Sequence, residues 1–87
     1  MPMIEIGTAD AQHALWAVAG DFGLGLQPGS FTTNLIRAIQ HADPLNRARV
    51  AEAFPSLVQA VLMASGSVEA LEALRTMVKD RTEAVTV

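Results

Sequence analysis

His13 and His41 are the side chains of this 87-residue chain best suited to acid–base or metal chemistry. Neither has a second histidine, a cysteine or a carboxylate four residues away, the spacing that sets two ligands on one helical face. No cofactor and no metal site is therefore expected. His41 stands near a predicted helix end, where the dipole favours a protonated imidazole that Asp43 could receive. The stretch from Gly20 to Gly29 holds four glycines and Pro28, but no Gly-Lys-Ser/Thr follows it and the Gly-x-Gly-x-x-Gly spacing is absent. That excludes the usual phosphate cradles. Ser30, Ser56, Ser65 and Ser67 each precede or open a helix, where capping accounts for them, and no Gly-x-Ser-x-Gly elbow exists. Glu69 and Glu72 read as a solvated face, so nucleophilic or carboxylate-pair catalysis has no support and no enzyme is expected.

The densest polar group is Arg37, His41, Asp43, Asn46, Arg47, Arg49 and Glu52. A helix-turn-helix would pair segments 31–42 and 44–53 and turn Asn46, Arg47 and Arg49 toward DNA. The Asp43-Pro44 connection lacks the usual turn glycine, and the net charge is −3, which removes long-range attraction to phosphate. Nucleic acid is thus the disfavoured alternative. Arginines are favoured where proteins meet, and the single tryptophan, Trp16, belongs to the type most enriched at binding hot spots. Trp16, Arg37, His41, Asn46, Arg47 and Arg49 are the candidate partner-binding residues.

The elements that must position these residues follow from apolar spacing. Met3, Ile4 and Ile6 alternate with polar neighbours for too short a run to make a strand. They are expected to form an extended arm (residues 1–7) and a candidate self-association surface. Thr8 or Asp10 should cap a helix over 9–19, with Ala11, Ala14, Leu15 and Val18 on one face and Trp16 elsewhere. In the glycine stretch Phe22, Leu24 and Leu26 alternate and call for burial, so the loop should be packed down. Ser30 should cap a helix over 31–42 with Phe31, Leu35, Ile36, Ile39 and Ala42 inward. Asp43-Pro44 pairs an N-cap acid with proline at the first helical position and predicts a helix over 44–53. Pro55 disfavours helical geometry at Phe54 and opens a helix over 55–64. That segment is apolar nearly all round and reads as the buried central helix. Ser65-Gly66-Ser67 ends it. The last helix, from Val68 to about Ala84, is amphipathic, with Leu71, Leu74, Met77, Val78 and Val85 inward and residues 85–87 as a short tail.

The sum is an all-α fold: a single helical domain (1–87), a compact bundle of about five short helices with a packed glycine-rich loop after the first. Half the chain is apolar and 17% is charged, a globular composition, and no cysteine is present. No run is long enough to span a membrane and the first residues lack a basic region, so a cytoplasmic location and no membrane partner are expected. A core this small commonly gains stability by association, which makes a homo-oligomer possible.

One resemblance adds context. Phe22-Gly23-Leu24, Pro28-Gly29-Ser30-Phe31-Thr32, Leu35-Ile36-Arg37-Ala38-Ile39, Ala42-Asp43, Asn46-Arg47-Ala48-Arg49 and Phe54-Pro55-Ser56-Leu57-Val58-Gln59-Ala60-Val61 resemble a group of small uncharacterised proteins from bacteriophages of actinobacteria. About forty residues carry the likeness. It implies a phage product that works inside the host by binding proteins, and it transfers no catalytic residue. The expectation is a non-enzymatic protein–protein interaction protein that self-associates and binds a host protein.

Overall fold

The computed structural model describes residues 4–83. Five helices follow one another through them: α1 (Thr8–Ala17), α2 (Ser30–His41), α3 (Pro44–Ala53), α4 (Pro55–Ala64) and α5 (Val68–Glu83). Among the described residues there is no strand, and the chain is an all-α bundle.

Two proline signals set the middle of the bundle. Asp43 is extended (φ −69°, ψ 169°), and its Oδ1 accepts the Asn46 amide at 2.7 Å, satisfying one donor at the open end of α3 while Pro44 needs none. Phe54 (φ −132°, ψ 59°) is the single residue between α3 and α4, because Pro55 keeps its predecessor out of helical geometry. Ser67 caps α5 by accepting the Ala70 amide at 3.1 Å.

The first two helices start differently from expectation. Gly7 and Gly29, both extended, stand at their N-caps without a side-chain bond, and Thr8 and Ser30 are already helical. Thr8 Oγ1 instead accepts from Arg81. α1 also stops two residues early, and the chain turns through Gly20 at φ +68°, a left-handed conformation that favours glycine.

The core follows from this order. α4 lies at the centre and packs against all four other helices. It buries Leu57, Val58, Ala60, Val61 and Ala64. Ala11, Ala14 and Leu15 of α1, Ile36 and Ile39 of α2, and Leu74 and Val78 of α5 complete the interior, together with Ile6. Each large side chain here is worth about 1.5–3 kcal/mol of burial. The fully enclosed alanines Ala11, Ala14 and Ala60 let the helix axes approach closely. α3 differs from the rest: it packs principally on α4 and buries no residue fully.

Three expectations of burial are corrected. Phe22 and Leu26 are 69% and 52% exposed, and only Leu24 of the alternating trio packs on the core. Phe31 is 67% exposed and lies against Phe54, with ring centroids 6.1 Å apart. Ile6, expected at a self-association surface, is buried in the chain's own core. The arm turns inward there because its backbone is tied to two helices: the Gly7 amide donates to Ser56 Oγ at 2.8 Å, and Arg81 donates to the Ile6 carbonyl. Met3, the first residue of that expected surface, lies outside the described residues, as do Val85 and the tail.

Candidate functional site

The polar residues of α2 and α3 do not converge on one point. Arg37 and His41 are exposed one turn apart on α2. His41 makes no bond to Asp43, whose two oxygens are taken by the backbone and side-chain nitrogens of Asn46 (2.7 and 3.3 Å). Asn46 Oδ1 in turn accepts Arg49 Nη1 at 3.3 Å, so Asp43, Asn46 and Arg49 form a chain along exposed α3. The expected capping contact of His41 is thus replaced by the Asx cap of the next helix. Trp16 is half-buried at the end of α1 and tilts onto Phe22, centroids 5.1 Å apart, away from that chain of polar contacts.

Arg47 takes another direction. It is half-buried, and its Nη2 reaches back to the Ala42 carbonyl through one long bond of 3.5 Å. Its Nε is buried without any partner. Among the described residues the ion pairs run from Arg75 to Asp21 and Glu72, and no carboxylate pairs with Arg47.

Beside Arg47 lies an apolar groove of about 280 Å³ between α3 and α4. Arg47, Ala48 and Ala51 form its α3 wall, Val58 and Leu62 its α4 wall, and Ile4 borders it from the arm. The small side chains explain the space. Two alanines three residues apart on α3 face branched residues four apart on α4, and the gap between the helices stays open. The arm is held by its bonds to Ser56 and Arg81, which brings Ile4 to the groove. Gln59 is the other polar residue on the lining, and among the described residues no acid lines it. The groove can therefore hold an apolar body and offer it a cation. Among the described residues no cluster of three or more histidine, cysteine, aspartate or glutamate side chains is placed to hold a metal ion.

Of the expected binding residues, Arg47 alone lines this groove, with Ile4 from the expected self-association set. Ala48, Ala51, Val58 and Leu62 were missed, and the only trace of them in the sequence is the small-residue spacing on α3.

A second feature anchors the glycine loop. Asp21 Oδ1 accepts the Gly23 and Leu24 amides at 3.1 and 3.0 Å, and Oδ2 accepts Arg75 Nε at 2.9 Å. The Leu24 amide foremost, with the Arg75 guanidinium and the Gly23 amide, holds the Asp21 carboxyl below the usual carboxylate range against the opposing effect of burial. Asp21 and Glu72 hydrogen-bond the Arg75 guanidinium and raise its already high pKa. Gly25 completes the anchor. A Cβ there would stand 2.6 Å from Trp16 N and 2.8 Å from Trp16 Cα, so only glycine lets the loop lie this close to α1. This cluster serves packing and presents no free acid or base.

No helix among the described residues is long and apolar enough to cross a membrane. No protein-family model, curated protein or solved structure matches the chain.

Proposed function

We propose that the chain is a non-enzymatic interaction protein that binds a protein partner through the face formed by α3 and α4. One observation carries this reading: the α3–α4 groove is apolar and open, and two large apolar side chains that the fold leaves exposed line it. Ile4 is 49% exposed and Leu62 37%. Clustered exposed apolar surface of this kind marks interaction sites, whereas apolar residues scattered singly do not. The resemblance to phage proteins supplies the setting of the proposal, a host protein met in the bacterial cytoplasm. The same face is open to a second copy of the chain.

The test compares wild type with Ala48→Glu, which places a charged side chain in the groove from an exposed helical position and leaves the core alone. Host proteins captured by wild type and lost with Ala48→Glu are purified and titrated calorimetrically, while sedimentation velocity reads self-association. Binding by the purified partner, or a dimer that Ala48→Glu disperses, supports the proposal. Equal behaviour of both chains in every arm removes it. A DNA mobility shift at low salt that Arg47→Glu with Arg49→Glu abolishes would favour the nucleic-acid alternative instead.

A further inference from the structure

We infer that the α3–α4 groove takes an apolar helical segment of the partner that carries a carboxylate, and that this carboxylate pairs with Arg47. The inference rests on the interaction reading above and adds the chemistry of the occupant. Size comes first. The groove's 280 Å³ is at the lower edge of drug-sized sites, which run from about 300 Å³. That is room for a few side chains, and its open shape between two helices admits them from a third. Amphipathic helices dock into such grooves through apolar residues three or four positions apart.

Charge then selects within that class. An arginine in an apolar wall is normally held by several acceptors, because each donor left unmet out of water costs free energy. Here the guanidinium has a single bond, at 3.5 Å to the Ala42 carbonyl, and its Nε has none. Asp43, the acid that caps its helix, is committed to Asn46, Glu52 of α3 makes no ion pair with Arg47, and α4 brings only neutral Gln59 to the groove. Nε and a terminal nitrogen lie side by side on the planar guanidinium. A carboxylate accepts both in a parallel pair, the geometry in which arginine binds most strongly. A neutral apolar helix would fill the groove and leave that donor unmet. An occupant with a lysine or arginine at the same place would be repelled.

Short random-sequence peptides displayed against the whole chain test this directly. The expected winners carry aspartate or glutamate within one turn of two apolar residues spaced three or four apart. Fluorescence anisotropy should show their affinity falling about tenfold or more in Arg47→Met and lost in Ala48→Glu. Replacing the peptide's acid by its amide should weaken binding to wild type equally and change nothing further in Arg47→Met. That amide swap needs no altered protein, so it decides the pairing even if Arg47→Met folds poorly. Peptides that Ala48→Glu abolishes but that ignore both Arg47→Met and the amide swap overturn the carboxylate pairing while leaving the interaction reading standing. A groove filled by a second copy, seen as a dimer that Ala48→Glu disperses and Arg47→Met does not, also overturns it. If no selected peptide distinguishes Ala48→Glu from wild type, both readings fall.

Discussion

Replacing Gly25 by alanine should be among the most damaging single-methyl changes in the glycine loop. The added Cβ would meet Trp16 N at 2.6 Å and Trp16 Cα at 2.8 Å, as well as the Asp21 carbonyl. These are backbone atoms of α1 and of the loop at Asp21, and none can swing aside as a flexible side chain would. The loop must lift instead. Lifting stretches the bonds from Gly25 N to the Asp21 carbonyl (2.9 Å) and from Leu26 N to the Gln12 carbonyl (3.1 Å). Each is worth about 0.5–1.5 kcal/mol net. Partial re-exposure of Leu24 adds about 1 kcal/mol, and the loss comes to about 2–4 kcal/mol. For a chain of this length the unfolding entropy is roughly 0.18 kcal/mol per degree, so the thermal midpoint should fall by roughly 10–20 °C. Circular dichroism melts of wild type, Gly25→Ala and Gly23→Ala provide the measurement. Gly23 is the control, since a Cβ there meets only Asp21 Oδ1 at an ordinary 3.6 Å, and a change within about 0.5 kcal/mol is expected. If Gly25→Ala melts with the control, the loop is not seated on α1 as described.

The other predictions concern the core, the arm, the ion pair and the groove. Leu74→Ala removes a fully enclosed side chain and should cost about 2–5 kcal/mol in chemical denaturation. Ser56→Ala strips the acceptor from the Gly7 amide; about 1 kcal/mol and faster hydrogen exchange at Gly7 are expected. Asp21 has its carboxyl pKa depressed in the fold, so its contribution is full above the unfolded-state pKa and vanishes as pH falls through the folded one. Melts should therefore show wild type well above Asp21→Asn near pH 7, the gap closing in strongly acid solution; a constant gap would refute the assignment. Hydrogen exchange should be faster in α3 than in α4, because α3 buries no residue and α4 buries five.

How much of this was legible in the sequence depended on whether a signal was local. The bounds of α3 and α4 match expectation because Asp43-Pro44 and Phe54-Pro55 act through sterics within two residues. The bounds of α1 and α2 drift by one or two residues, since glycines took the cap positions that threonine and serine were expected to fill. Apolar spacing found Leu15, Ile36, Ile39, Leu74 and Val78, yet it also assigned Phe22, Leu26 and Phe31 to the interior. Periodicity identifies which residues can share a face; it does not say whether another element arrives to cover them. Arg47 was singled out by its polar neighbourhood but turned away from it, toward the groove. The groove needs Ala48 and Ala51 opposite Val58 and Leu62, with Ile4 brought in by Ser56 and by Arg81, seventy-five residues from Ile6. No local rule links positions so far apart.

The same arrangement explains why α3 suits a docking role. Its helical state is specified largely within itself, by the Asp43 cap, the Pro44 start and a run of good helix formers. Packing adds half-buried Val50 and Ala51 against the core but no enclosed side chain. The contact of α3 with the bundle runs principally through α4, and the rest of its surface is left outside. α4, by contrast, is enclosed by four neighbours. One wall of the groove thus belongs to the core and the other stands on its edge. Filling the groove should give α3 the burial that the free chain lacks.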